Sequence, residues 1–440
     1  MEILLIKDAL VVPMTAKEGA CKSFQASVGV VGNRIVLVSD EVDVVSSFLV
    51  KHPDCRIMDG SGKALLPGLI NTHCHAAMTL QRNHADDIPL MAWLNDHIWP
   101  FEARQTKEDI ALGMTLGMAE MLLGGVTSFV DMYFEEDHCV EVVDRMGMRA
   151  VLGCSYFDAT IDEVLQSAER AVKAAEGKER IRISIAPHAP YTVSEENLQR
   201  GKRFAEEHGL DYMVHAAETQ DELNYVADKY ATTPVRLLDR LGVLDQRTIL
   251  AHCVWVDQEE MALMRERGVT VSHNAQSNMK ISSGVAPIAE MLREGVCVTL
   301  ATDGSSSNND LDMWEEMRSA ALLQKVTTMD PLKLPAYEVL KMATVNGARA
   351  MGHEGELGVI REGALADLIL IDLEKPHLQP IHDLVADLVY CGKASDVDTV
   401  IVDGRVVVEN RQIKGLDLKA LYRQVADSVH RILKIQKKDL

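Results

Sequence analysis

Residues 65–102 read LLPGLINTHCHAAMTLQRNHADDIPLMAWLNDHIWPFE, and the rest of the chain becomes interpretable from this stretch. The apolar run from Ala64 to Ile70 reads as a buried strand, and it ends in Asn71-Thr72-His73-Cys74-His75. Side chains at i and i+2 of a strand leave on the same side. His73 and His75 therefore project together from the strand's C-terminal end, where two imidazoles can share one metal ion at about 2.0–2.1 Å each. A chain with 15 histidines can produce such a pair by chance, so the remaining ligands must come from elsewhere.

Downstream of this stretch, strands alternate with amphipathic helices, the pattern of a parallel α/β fold. The strand cores fall at 65–73, 127–133, 149–156, 181–188, 211–217, 248–254, 269–273 and 297–302. Helical stretches separate them at Lys107–Leu123, Asp162–Ala175, Ser194–Glu207, Gln258–Arg267 and Leu311–Lys325, with Thr106, Ser194 and Asp257 placed as N-caps. Eight such units fit a (β/α)8 TIM barrel, which typically takes about 250 residues. A last helix is expected near Pro335–Met351.

Upstream, Ile3–Val12 reads as a strand and Ser27–Val38 as a hairpin turning at Gly32-Asn33. Strand character returns at Ala366–Asp372, Leu384–Cys391 and Val397–Val408, the last with a turn at Asp403-Gly404. Neither terminal segment can close a core alone, so the two are expected to combine into one small β-sandwich domain. This gives residues 1–62 and 356–440 to the β-sandwich domain, the second part carrying a C-terminal helix, and residues 63–355 to the catalytic barrel.

Composition narrows the function. A formal charge of −21 over 440 residues repels polyanions, which argues against nucleic acid or an anionic membrane as partner and favours a small-molecule substrate. The eight cysteines, Cys21 to Cys391, form no C-x-x-C, so neither a disulfide framework nor a thiolate zinc site is expected, and a reducing cytoplasmic location suits them. The N-terminal run MEILLIKDALVVPM carries Glu2, Lys7 and Asp8 and has no basic leading region, unlike a signal peptide. No apolar run reaches the roughly 18 residues of a membrane span.

Barrel enzymes collect their active sites at the C-terminal ends of the strands. Here those ends carry His73 and His75, then His188, then His215 with Glu218, then His252, His273 and Asp303. Scattered histidines have no reason to choose strand ends. Imidazoles and a carboxylate gathered at one mouth are ligands that can hold a divalent metal ion. Glu218, three residues beyond His215, can reach the same cavity as an acid–base group; a plain helix N-terminal glutamate is the other reading.

The ordered motifs LPGLINTHCH, HAAE, LAHC, SHNAQSNMK, ATDGSSSNN and GALADLILID resemble the metal-dependent amidohydrolase superfamily over nearly the whole chain. Within it, TLQRNHADDIPLMAWLNDHIWPFE and IAPHAPYTVS are most similar to deaminases of 5-methylthioadenosine and S-adenosylhomocysteine. The resemblance implies a single divalent metal ion, usually zinc, held by His73, His75, His215 and Asp303. It makes Glu218 the proton carrier that also meets the substrate, and His252 with Asp303 the pair that orients the attacking group; His252 as a further ligand is the alternative. It implies that Glu102 accepts both ribose hydroxyls, with an exposed helix-cap glutamate as the other reading, and that His188 binds the purine. A homo-oligomer is implied as well.

The expected reaction is hydrolytic deamination of an adenine nucleoside: 5′-methylthioadenosine, S-adenosylhomocysteine, 5′-deoxyadenosine or adenosine. The same fold and metal acting on guanine, an oxidised purine, a pterin or a chloro-triazine is the rival, and a non-catalytic metal-binding scaffold or sensor stands outside the enzyme class. His273 reads as support for the metal site, Asn274, Asn278, Asn308 and Asn309 as caps for loop backbone, and Arg82 as a loop anchor. Trp93 and Trp99 read as pocket wall or as core. One departure from the resemblance concerns Cys154, which stands where similar deaminases carry an arginine for the substrate's distal end; Arg104, Arg145 and Arg149 are the cations nearby.

Overall fold

The computed structural model describes residues 2–15 and 22–438, so Cys21 lies outside the described residues. Eight strands, Leu69–Cys74, Val126–Tyr133, Arg149–Tyr156, Ile181–Pro187, Asp211–Ala216, Thr248–His252, Thr270–His273 and Cys297–Leu300, lie side by side in chain order. All seven neighbouring pairs are parallel. The first and eighth strands meet at the far edge. Cys74 bridges Asp303, the Asp303 amide donates to the His73 carbonyl at 3.0 Å, and Thr72 Oγ1 lies 2.6 Å from Thr299 Oγ1. The result is a nearly closed barrel.

Helices follow the strands much as their caps dictate. Lys107–Leu123 and Gln258–Arg267 begin with the reciprocal side-chain and backbone bonds of a capping box at Thr106 and Asp257. Ser194 caps Glu195–His208 by accepting from the Asn197 amide. The helix expected from Leu311 begins at Met313, because Asp312 accepts the Trp314 amide and fixes the start there. The stretch expected as one helix from Pro335 splits into Ala336–Met342 and Gly347–Ala350. No described helix is long and apolar enough to cross a membrane.

The terminal segments share one mixed sheet of nine strands. Ile3–Val11 pairs antiparallel with Phe24–Val31, which turns at Gly32-Asn33 into Arg34–Ser39. Lys63–Pro67 is the seam: it runs parallel to Ile3–Val11 and antiparallel to Leu368–Asp372, and so joins the two halves of the chain. Val397–Val402 and Arg405–Glu409 continue the sheet through the Asp403-Gly404 turn, where φ is 52° and 72°.

Two expectations are corrected here. The strand read as 65–73 is two strands, because Gly68 breaks it: Lys63–Pro67 belongs to the mixed sheet and Leu69–Cys74 to the barrel. A side chain at Gly68 would collide with Thr127, so the crossing from one sheet to the other needs glycine. Leu384–Cys391, read as a strand from its apolar content, is a helix. Asp383 caps it by accepting the Val385 and Ala386 amides, and Leu384, Val385, Leu388 and Val389 bury one face, a helical spacing that overrides β-propensity.

Arg149, at the start of the third barrel strand, ties the barrel to the sheet. It is buried and donates from Nε and Nη2 to both Asp367 oxygens at 3.1 Å, and from Nη2 to Asp403 at 3.2 Å. The C-terminal helix, Leu418–Lys438, leaves the sheet and packs on Lys107–Leu123.

Candidate active site

At the C-terminal mouth of the barrel the chain places His73, His75, His215, His252 and Asp303 within reach of one another. His75 Nε2 lies 3.1 Å and His73 Nε2 3.5 Å from Asp303 Oδ1, and His215 Nε2 lies 3.2 Å from His73 Nε2. Two triads have ligand atoms mutually within 4.8 Å: His73, His75 and Asp303, and His73, His215 and His252. His73 belongs to both, so the five side chains form one cluster.

The donor set suits a divalent cation. His75 Nδ1 donates to the Met132 carbonyl at 2.5 Å and His215 Nδ1 to the His188 carbonyl at 2.7 Å, which leaves each Nε2 lone pair facing inward. Asp303 Oδ1 accepts the Gly304 amide at 2.8 Å, while Oδ2 takes Ser277 at 2.6 Å and Ser307 at 3.0 Å. Burial pulls the His73 imidazole down to about 4 and His215 well below its ordinary value, so both are neutral donors. Burial opposes ionisation at Asp303 too, but its bonds to His73 and His75 win and hold it well below the carboxylate range. At His75 burial is likewise outweighed, by the Asp303 bond and charge, and the imidazole rises to about 9, so an ion bound there takes the place of a proton on Nε2.

The backbone around this cluster is unusual. Ala217, His252, Cys253 and Asp303 all take left-handed φ values, between 45° and 73°, which L-residues adopt only when the surroundings hold them there. Each sits just where a strand gives way to its loop.

Glu218 is buried, and its Oε1 lies 3.9 Å from His252 Nε2. Burial pushes its carboxyl up, with the nearby Asp303 charge adding to the rise, so the group can hold a proton. Its backbone is set by Glu222, a residue the sequence reading missed, whose two oxygens accept the Ala217 amide at 3.0 Å and the Glu218 amide at 2.8 Å. The signal was present: Thr219 and Glu222 stand in the T-x-x-E spacing of a helix start.

His252 is held from behind, and this corrects the reading of two asparagines. Asn278 Oδ1 lies 2.9 Å and Asn274 Nδ2 3.1 Å from His252 Nδ1, so these side chains serve the histidine rather than loop backbone. One nitrogen cannot serve both, and donation from Nδ1 to Asn278 Oδ1, which leaves His252 Nε2 as an acceptor facing Glu218, makes Asn274 a flanking group. Asn308 does bind backbone, the Thr302 carbonyl at 2.9 Å, whereas Asn309 ties to the side chain of Asp86 at 3.1 Å. Arg82 anchors the same loop through Glu120 and the Asn309 carbonyl. His273 is fully buried beside the cluster, and neither of its ring nitrogens has a partner among the described residues.

The cavity above the cluster is lined by Glu102, His188, Trp93, Trp99, Phe134 and Phe157 together with the residues already named. Glu102 accepts from the Tyr133 hydroxyl at 2.8 Å, and burial pushes its carboxyl up to about 7. His188 Nδ1 lies 2.8 Å from Thr192 Oγ1, its ring packs 4.9 Å from Phe157, and burial lowers it to about 3. Both tryptophans wall the cavity.

Cys154 does not face this space. It points into the apolar core between barrel and helices, while its neighbours Ser155 and Phe157 line the cavity. The side-chain alternation of the strand explains the difference. None of Arg104, Arg145 and Arg149 lines the cavity either: Arg149 is spent on the sheet, and Arg104 donates to the Pro100 carbonyl at 2.6 Å.

A metal-ready histidine and aspartate cluster at the mouth of a (β/α)8 barrel defines the class, and comparison with known proteins agrees. Residues 64–407 match the amidohydrolase family, and the chain belongs to it. It is 43% identical over 423 residues to the 5-methylthioadenosine/S-adenosylhomocysteine deaminase of Pelotomaculum thermopropionicum, covering 95% of this chain and 96% of that one. It is also 43% identical over 397 residues to the 5′-deoxyadenosine deaminase of Methanothermobacter thermautotrophicus, covering 89% and 92%. Among solved structures, an adenosine deaminase from Xanthomonas campestris with bound zinc superposes with a TM-score of 0.93 at 35% identity, over 98% of both chains.

Proposed function

We propose that this protein is a zinc-dependent hydrolytic deaminase of adenine nucleosides, acting on 5′-methylthioadenosine, S-adenosylhomocysteine, 5′-deoxyadenosine or adenosine and releasing ammonia. The observation that carries the reading is the meeting of His73, His75, His215 and Asp303 beside the buried carboxyl of Glu218, under a cavity that also holds Glu102. The names of its relatives point to the same substrates.

His73, His75, His215 and Asp303 hold the ion in this reading, with His252 next to it. A divalent cation bound there supplies the Lewis acidity that makes water nucleophilic near neutral pH. Glu218 takes one proton from the attacking water and delivers it to N1 of the purine, where it stays; the second proton, from the C6 hydroxyl, passes to the amine, which leaves as ammonia as the C6 carbonyl forms. His252 and Asp303 orient the attacking group at C6 and offset the charge that develops there.

Substrate recognition follows from the walls. His188 and the aromatic rings hold the purine, and Glu102 accepts the two ribose hydroxyls, which a carboxylate can do with one oxygen each. No lysine or arginine is among the described residues lining the cavity, so it offers no guanidinium or ammonium to grip a phosphate, which favours nucleosides over nucleotides.

The test is ammonia release from zinc-loaded protein with the four nucleosides named above. Turnover of at least one is expected, and silence on all four refutes the reading.

A further inference from the structure

The segment that carries Glu102 does not hold itself in place. Phe101 is fully buried, and together with Leu80 it forms a small apolar cluster whose third buried member is Ile432 of the C-terminal helix. Beyond Glu102, Asp109 accepts the Thr106 amide at 2.7 Å, and its two oxygens also take Ser428 and Arg431 of the same helix. Ser428, Arg431 and Ile432 are spaced i, i+3 and i+4, so they share one helix face. That face grips the Glu102 segment on both sides of the carboxylate.

The side chains that aim the carboxylate lean on the same support. Leu80 precedes Gln81, whose Nε2 lies 3.4 Å from the Tyr133 hydroxyl, and that hydroxyl donates to Glu102 at 2.8 Å. A shift of the helix would thus move both the carboxylate and the chain of side chains that aims it.

We propose that the C-terminal helix, Leu418–Lys438, sets the position of Glu102, with Ser428, Arg431 and Ile432 as positioning residues for recognition of the sugar. The inference rests on the reading of Glu102 as the ribose-binding carboxylate. One carboxylate taking two vicinal hydroxyls tolerates only a few tenths of an ångström of displacement before one of the bonds is lost. The purine end of the cavity is built by His188 and Phe157, which follow other strands and meet the Glu102 segment at the Trp99–Phe157 ring contact, 6.0 Å between centroids. Loosening the helix should therefore weaken sugar recognition and leave the chemistry at the base intact.

The test compares kcat/KM for adenosine and for 2′,3′-dideoxyadenosine, which lacks both hydroxyls. The wild type is expected to favour adenosine strongly. Ile432→Ala, and separately the Ser428→Ala/Arg431→Gln double variant, which leaves the apolar contact in place, should shrink that preference about tenfold or more. The rate on the dideoxy substrate should change less than twofold, and Ile432→Val should recover most of the loss. An unchanged preference in both variants overturns the proposal, as does an equal fall on the two substrates, which would mark the helix as merely structural. A wild type indifferent to the hydroxyls fails differently: it removes the role of Glu102 itself, and the proposal with it.

Discussion

The mixed sheet and the barrel are both stacks of hydrogen-bonded strands, yet they differ in how many polar groups they bury. Between the sheet's strands lie Leu4, Ile6, Val28, Val30, Leu65 and Leu368, all closed to solvent. The equally inaccessible positions of the barrel include Asn71, Thr72, Ser128, Ser272, His273 and Thr299. The sheet gains most of its stability from apolar burial, with the Arg149–Asp367 pair at its junction. The barrel interior adds to an apolar layer of Ile70, Val130, Val151, Met213 and Ile249 a set of hydroxyls and amides that need partners, and at the mouth some lack them: both His273 nitrogens, Asn278 Nδ2 and Asn308 Oδ1 are unpartnered among the described residues. The difference teaches where cost and support lie. The mouth keeps strained and under-bonded groups in place for chemistry, and apolar layers elsewhere offset them.

If that division holds, damage to the mouth should cost activity and damage to the sheet should cost stability. The largest effect expected is from chelation: stripping the metal should abolish ammonia release, and adding zinc back should restore it without refolding. Next comes Glu218→Gln, which should lower kcat by about 10²–10⁴-fold while bound zinc, measured by metal analysis, stays at the wild-type level. Arg149→Met strands Asp367 and Asp403 at the junction and should cost about 3–5 kcal/mol in urea unfolding. Leu368→Ala in the sheet should cost about 2–5 kcal/mol with kcat unchanged in the folded protein. The smallest is Asn278→Ala, which frees the His252 ring and should lower kcat about tenfold with little change in unfolding midpoint. A sheet variant that lost kcat, or a mouth variant that lost only stability, would break the contrast.

The parts of this arrangement that were legible in the sequence are those governed by local pattern. Strand ends bearing histidine, and caps such as Thr106 and Asp257, fixed most barrel elements to within a residue or two, because both signals lie in neighbouring residues. Leu384–Cys391 was misread because its apolar content outweighed a helical spacing that matters only once it packs against Met313–Thr328 and Ala336–Met342. That Cys154 lies in the apolar core while Ser155 lines the cavity was not legible, because the phase of strand alternation is set by pairing, not by the residue. The hold of Asn274 and Asn278 on His252, and of the C-terminal helix on Asp109, joins residues far apart in the chain, and no local pattern announces such contacts.

The seam at Gly68 has a further consequence. Lys63–Pro67 is zipped into the sheet, and after one residue without a side chain the same thread enters the barrel and delivers His73 and His75. The sheet therefore works as a jig: by clamping the thread before it crosses, it fixes the phase in which the histidines emerge. A layer of the molecule distant from the cavity thus dictates which way the first two imidazoles look.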